Sequence, residues 1–154
     1  MQTKLDYIIN RIKHIKKIQI LELGVRYGVS TKKFIELCDS SDGFLISVDI
    51  KDFSNVVKSD RWKFINSSDD NFEEVDKFIT KDLDFIFIDS LHWPDHVEKV
   101  FYHYYNFLKK GSICVIDDIS WLPYCKNQER DKEFSEYINR STFKKILEIF
   151  NQNK

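Results

Sequence analysis

Three aspartates and one histidine follow two short apolar stretches of the sequence. Asp89 ends the first stretch and His92 comes three residues later, while Asp117 and Asp118 end the second. Stretches of this length fit strands buried in a parallel sheet, and open α/β sheets bind ligands beyond the carboxyl ends of their strands. Carboxylate oxygens suit a hard divalent cation, and histidine can accept a proton at neutral pH. The pattern therefore favours an enzyme.

A second candidate site lies in the turn between an earlier predicted strand and helix. Gly24 and Gly28 allow the backbone there to approach a ligand closely. Asp49, which ends the next strand, is placed to accept hydrogen bonds from ribose hydroxyls. Arg26 stands where a dinucleotide fingerprint has its middle glycine, which disfavours a pyrophosphate-containing cofactor. The pattern favours a nucleoside cofactor without pyrophosphate over an ordinary turn with a surface acid.

The elements that must position these residues alternate between predicted strands and helices. Apolar stretches predict five strands, at residues 18–23, 44–48, 62–65, 83–88 and 112–116. Parallel neighbours need helical crossovers. The alternation therefore predicts an α/β fold with a doubly wound sheet of about five parallel strands.

Helix boundaries follow from capping residues and glycines. An apolar stripe predicts an N-terminal helix over residues 3–17, and Ser30 or Thr31 is expected to cap the next helix. Gly111 is expected to end the helix that precedes the fifth strand. Two helical segments are predicted near the C-terminus, at residues 128–139 and 142–152.

Composition limits the classes of function. The 154 residues are expected to form a single domain over residues 1–154, and the formal net charge of −1 provides no basic field for nucleic-acid binding. No apolar stretch approaches the roughly 20 residues that span a membrane, and the N-terminus lacks the features of a signal peptide. The three cysteines lack metal-ligand spacing and favour a reducing compartment. We expect a cytoplasmic protein.

The glycine motif and the strand-end acid together resemble the class I S-adenosylmethionine-dependent methyltransferases over about residues 15–120. The resemblance implies a Rossmann-like sheet with its strands in the order 3-2-1-4-5. It also implies that S-adenosylmethionine is bound by Glu22, Gly24, Gly28, Asp49, Ser68 and Asp69. Glu22 would lie near the amino-acid end of the cofactor and Asp49 at the ribose. Ser68 and Asp69 match the positions on the adenine side.

The carboxylates narrow the resemblance to the magnesium-dependent small-molecule O-methyltransferases of the catechol and macrolide-sugar (macrocin-type) groups. It implies that Asp89, Asp117 and Asp118 hold Mg²⁺, which lowers the pKa of an acceptor hydroxyl, and that His92 is the general base. Other interpretations remain open. The two later aspartates could cap the loop that follows them, and His92 could cap the next helix. His96 is a second ligand, a substrate contact or a surface residue.

The expected function is methylation of a hydroxyl on a small molecule, a sugar or a phenol, with help from a divalent cation. Members of the resembled family continue into two more strands, whereas this sequence ends at Lys154. That difference motivates the alternative of a non-catalytic or degenerate cofactor-binding module, and it also suggests a homodimer that covers an open sheet edge. A nicotinamide-dependent oxidoreductase and a nucleic-acid methyltransferase are disfavoured because their motifs are missing.

Overall fold

The structure is a computed structural model that describes residues 3–119 and 133–152. Its strands are Gln19–Leu23 (β1), Phe44–Asp49 (β2), Trp62–Asn66 (β3), Leu83–Ile88 (β4) and Leu108–Ile116 (β5). Its α-helices are Lys4–Ile12 (α1), Val29–Ser41 (α2), Phe72–Val75 (α3), Pro94–Tyr105 (α4) and Glu133–Gln152 (α5). A 3₁₀ turn, Asp76–Phe78, continues α3.

All the neighbouring strands pair in parallel, in the order β3-β2-β1-β4-β5. The predicted sheet is confirmed. Every residue of β4 is buried, as expected for a strand that is covered on both faces. Because all the strands run the same way, the residues that follow β1, β2, β3, β4 and β5 lie at one edge of the sheet.

Helices cover both faces of the sheet with apolar side chains. On one face, Phe34 of α2 packs edge-on against Phe85 and Phe87 of β4, with 5.5 Å between ring centroids in both pairs. On the other face, Val100 and Tyr104 of α4 are fully buried against the sheet. Burial of each such side chain contributes about 2–3 kcal/mol. These contacts hold the strand ends in register and so position the loops beyond them.

Several predicted helix boundaries are wrong, and the structure gives the reasons. The second helix begins after Gly28, because the hydroxyls of Ser30 and Thr31 donate to a buried carboxylate instead of capping the helix. The N-terminal helix ends at Ile12. Gly111 lies inside β5 with a φ of +89°, so the strand begins before it rather than after it.

The two predicted C-terminal segments are parts of one helix, α5. It runs continuously through Thr142, whose buried hydroxyl donates to the carbonyl of His92 at 2.6 Å. Residues 128–132 of the prediction lie outside the described residues. Within the described part of the chain, no helix combines the length and the apolar character that crossing a bilayer requires.

Gly24 allows the loop after β1 to pack against the loop after β4. A Cβ atom at this position would lie 2.2 Å from the carbonyl oxygen of Asp89, and φ is +96°. Gly111 has a similar φ, but a Cβ there would meet nothing within 4 Å. We expect Gly24→Ala to lower the free energy of unfolding by about 2–3 kcal/mol more than Gly111→Ala does, as measured by urea unfolding. Equal losses of unfolding free energy would mean that the loop after β4 shifts to admit the new Cβ atom at little cost.

Candidate active site

A cavity of about 530 Å³ lies at the carboxyl edge of the sheet. Its size is within the usual range for small-molecule sites. Among the residues that line it are most of the predicted site residues: Gly24, Asp49, Ser68, Asp69, Asp89, His92 and Asp118. The predicted residues that do not line it are Glu22, Gly28 and Asp117. The sheet thus brings the two halves of the predicted site into one cavity.

Asp89, His92 and Asp118 form a cluster in this cavity, in which one possible ligand atom from each residue lies within 4.8 Å of the others. The Nε2 atom of His92 lies 3.6 Å from Oδ1 of Asp89 and 3.8 Å from Oδ2 of Asp118. Burial, together with the nearby carboxylates of Asp117 and Asp118, raises the pKa of Asp89 to about 7. A cation placed among these atoms would relieve that repulsion, so the donor set fits a divalent metal ion.

Asp117 is near this cluster but does not belong to it. Its Oδ1 atom accepts hydrogen bonds from Nζ of Lys4 and, at 2.7 Å, from the amide of Asp118. The ion pair with Lys4 links α1 to the end of β5. In this structure, the two adjacent aspartates therefore have different partners.

The carboxylate of Asp49 organises the loop after β1. Its Oδ2 atom accepts hydrogen bonds from the amides of Val25 and Arg26 at 2.8 and 3.1 Å, and its Oδ1 atom accepts one from Lys51 at 2.9 Å. Each carboxylate oxygen has two lone pairs. Both lone pairs of Oδ2 are used by the two amides, whereas Oδ1 can accept a further hydrogen bond from a ligand. Asp49 lines the cavity while it holds the glycine-containing loop in place.

Glu22 is fully buried beneath that loop. Its carboxylate accepts hydrogen bonds from the hydroxyls of Ser30, Thr31 and Ser47 at 2.6–2.9 Å. The indole Nε1 of Trp62 in turn donates to the hydroxyl of Ser47. Burial raises the pKa of Glu22 to about 7, although the three hydroxyls oppose the shift. Glu22 is therefore buried and does not line the cavity. A contact between Glu22 and the cofactor stays a prediction.

The raised pKa of Glu22 predicts a pH-dependent stability. The unfolded carboxyl has a pKa of 4.5, so between that pH and about 7 the folded chain alone holds the proton. Its stabilising contribution is complete below pH 4.5 and is lost as the pH rises through 7, about 3 kcal/mol in all. We expect urea unfolding at pH 5–8 to show this decline for the wild type relative to Glu22→Gln. Parallel curves would mean that the three hydroxyls keep the buried carboxyl ionised.

Asp69, Ser90 and His96 form a hydrogen-bonded group that the sequence analysis did not identify as a unit. Oδ2 of Asp69 accepts from the hydroxyl of Ser90 at 2.5 Å, and its Oδ1 lies 3.0 Å from Nε2 of His96. The hydrogen bond with this nearly buried carboxylate raises the pKa of His96. All three residues line the cavity. The signal available in the sequence was the four-residue spacing from His92 to His96, which puts both imidazoles near one end of α4.

A second cavity, of about 450 Å³, lies at the opposite edge of the sheet, near the amino ends of the strands. Lys17, Arg61 and Lys81 give it a basic lining, and it contains none of the predicted site residues. The carboxylates and histidines of the predicted site therefore all belong to the carboxyl edge.

Comparison with known proteins identifies the family. The profile of a family described as a methyltransferase domain matches residues 21–119. The chain belongs to this methyltransferase family. No curated protein matches the sequence. The match spans the glycine loop, Asp49 and the aspartates at the ends of β4 and β5, and it confirms the predicted membership of the class I S-adenosylmethionine-dependent methyltransferases.

Solved methyltransferases share the fold at low identity. MycE, from the mycinamycin biosynthetic pathway, was solved with Mg, S-adenosylhomocysteine and mycinamycin VI. It matches with a TM-score of 0.61 at 21% identity, over 84% of this chain and 36% of its own. S-adenosylhomocysteine-bound PaMTH1 of Podospora anserina matches with a TM-score of 0.71 at 17% identity, over 98% of this chain and 71% of its own. This chain thus spans about a third of the length of MycE.

Proposed function

We propose that this protein transfers the methyl group of S-adenosylmethionine to a hydroxyl oxygen of a small molecule, a sugar or a phenol, with the assistance of a divalent cation. The observation that carries the proposal is the cluster of Asp89, His92 and Asp118. It lies in the same cavity as Gly24 and Asp49, in a chain of the methyltransferase family.

The cofactor would lie across the carboxyl ends of β1, β2 and β3. Oδ1 of Asp49 has acceptor capacity for a ribose hydroxyl, and Gly24 keeps side-chain atoms away from the loop that the cofactor would cross. Ser68 and Asp69 would border the adenine, with Asp69 held in place by Ser90 and His96. With the adenine near β3 and the ribose near β2, the amino-acid end of the cofactor would lie on the side of β4. Asp89, a member of the proposed metal cluster, follows that strand.

The cluster contains the kinds of ligand atom that bind a divalent cation. Asp89 and Asp118 supply the carboxylate oxygens that Mg²⁺ prefers, and the Mg in MycE, a relative of the same fold, is in keeping with this. When bound, the cation lowers the pKa of an acceptor hydroxyl and orients its oxygen towards the methyl group. The two aspartates would hold the cation beside His92, so that an acceptor bound there would be within reach of the imidazole.

His92 would receive the proton of the acceptor. As the hydroxyl proton moves to Nε2, the oxygen forms a bond to the methyl carbon and the bond from carbon to sulfur breaks. The bonding pair stays on sulfur, which leaves neutral S-adenosylhomocysteine. Asp89 and Asp118 lie close enough to Nε2 to stabilise the imidazolium that forms. Thr142 fixes the backbone of His92 from α5 and so keeps the imidazole in position.

Thermal unfolding with S-adenosylhomocysteine tests the proposal directly. A ligand that binds only the folded state at 100 times its Kd adds about 2.7 kcal/mol of stability, or about 5–10 °C in Tm for a chain of this size. We expect this shift with the ligand and a further rise with Mg²⁺ that EDTA reverses. A folded protein that shows no shift with S-adenosylhomocysteine contradicts the proposed function.

A further inference from the structure

Arg26 has an unusual backbone conformation at the candidate active site. Its φ is +51°, in the left-handed region that disfavours a side chain, although glycines stand close by at Gly24 and Gly28. The amide of Arg26 donates to Asp49 at 3.1 Å, which holds the residue in this conformation. A glycine would satisfy the same backbone geometry without strain. Strained backbone of this kind clusters at functional sites. We therefore expect the side chain of Arg26 to have a function.

Arg26 lines a cavity that is rich in negative charge. Asp49, Asp89 and Asp118 line the same cavity. Even so, Arg26 forms no salt bridge with any residue in the described ranges. Its guanidinium carbon lies 5.4 Å from the ring centroid of Tyr27 instead. Its donor groups therefore remain available to an anionic ligand.

Two other cationic side chains near the carboxyl edge are already engaged by carboxylates. Lys4 pairs with Asp117, and Lys99 pairs with Asp70. Lys51 also lines the cavity and follows Asp49, on the side of the ribose and adenine. Arg26 lies in the loop after β1, the strand that stands between β2 and β4 in the sheet. This loop is on the side where the amino-acid end of the cofactor would lie.

The amino-acid end of the cofactor carries a carboxylate that needs a cationic partner. Glu22, which the sequence assigned to this end, is enclosed by three hydroxyls and does not reach the cavity. Asp89 repels a carboxylate. Guanidinium binds carboxylates through two parallel N–H donors, which gives both strength and orientation.

We propose that Arg26 binds the α-carboxylate of the methionine part of S-adenosylmethionine. The proposal rests on the proposed function and deepens it. It assigns to Arg26 a contact that holds the amino-acid end of the cofactor, and it explains why the chain keeps a strained, charged residue at this position.

Calorimetric titration with two ligands tests this assignment. S-adenosylhomocysteine has the amino-acid carboxylate, whereas 5′-methylthioadenosine has the same nucleoside and thioether without it. We expect Arg26→Gly to weaken S-adenosylhomocysteine binding by roughly 10- to 100-fold. Binding of 5′-methylthioadenosine should stay within about 2-fold of the wild type, since no charged contact to this ligand is lost. Arg26→Lys should lose less, because an ammonium keeps the charge without the planar fork.

Lys51→Ala is the matched control, because it removes another cation from the same cavity. It should leave the ratio of the two affinities unchanged. Arg26→Gly should fold normally, with a Tm within about 4 °C of the wild type, since relief of backbone strain offsets the flexibility of glycine.

The outcomes separate this inference from the proposed function. If the folded wild type binds neither ligand, the proposed function fails and the inference falls with it. If the wild type binds S-adenosylhomocysteine and Arg26→Gly binds it equally well, the role of Arg26 alone is overturned. An equal loss for both ligands, or an equal effect of Lys51→Ala on the affinity ratio, would also overturn it, because the carboxylate would then not be what Arg26 recognises.

Discussion

Asp118→Asn is expected to lower methyl transfer by about 1,000-fold, equivalent to about 4 kcal/mol of transition-state stabilisation. The variant keeps the shape of the side chain but loses the charge that would hold the cation. Asparagine tolerates left-handed backbone, so the φ of +51° at this residue does not threaten the fold. Calorimetry with Mg²⁺ should show a matching loss of metal affinity, and Asp89→Asn should behave in the same way.

Asp117→Asn is the control that tests which of the two adjacent aspartates holds the metal ion. The sequence assigned Asp117 to the metal, whereas in the structure Asp117 pairs with Lys4 and the cluster consists of Asp89, His92 and Asp118. We expect Asp117→Asn to change the Kd for Mg²⁺ by less than about 3-fold, since the charge that is lost is already paired with Lys4 and lies outside the cluster. If Asp117→Asn abolishes metal binding and Asp118→Asn does not, the cluster assigned from the structure is wrong.

His92→Gln is expected to reduce the turnover number by about 100- to 10,000-fold, the usual range for loss of a general base. The amide keeps hydrogen-bonding capacity but does not accept a proton at neutral pH. The Kd values for S-adenosylhomocysteine and Mg²⁺ should remain within about 3-fold of the wild type, because Asp89 and Asp118 provide the charge that binds the cation. Initial rates at saturating cofactor and metal, combined with calorimetry, measure these quantities separately.

His96→Gln provides a comparison from the same region of the chain. His96 pairs with Asp69 on the side of the cavity assigned to the adenine, so its replacement should raise KM for the cofactor rather than lower the turnover number. A large loss of Mg²⁺ affinity in His92→Gln would assign His92 as a metal ligand and rule it out as the base. Turnover by His92→Gln at the wild-type rate would remove it from the mechanism.

The fold could be predicted from local patterns because each strand carries its own signal. The five strands are apolar stretches whose lengths suit burial on both faces, and the single break at Gly24 marks the first change from strand to helix. Alternation alone requires a parallel sheet but leaves the order of the strands open. The order was implied by the resemblance to the methyltransferases. The helix boundaries were less predictable, because Ser30 and Thr31 have two competing partners, the helix amides and the carboxylate of Glu22. The buried carboxylate is the partner they take.

The sequence by itself determined the class of fold, the edge of the sheet at which the candidate site lies and the residue types available there. These features depend on apolar periodicity and on which residues follow each strand. Only the tertiary structure decided which neighbours each side chain has. Asp117 and Asp118 are adjacent in sequence, but their side chains point to different partners because the chain turns at the end of β5. Partner choice of this kind depends on contacts between residues far apart in sequence. The pairing of Lys4 with Asp117 and that of Asp69 with His96 are two such contacts, and local spacing does not encode them.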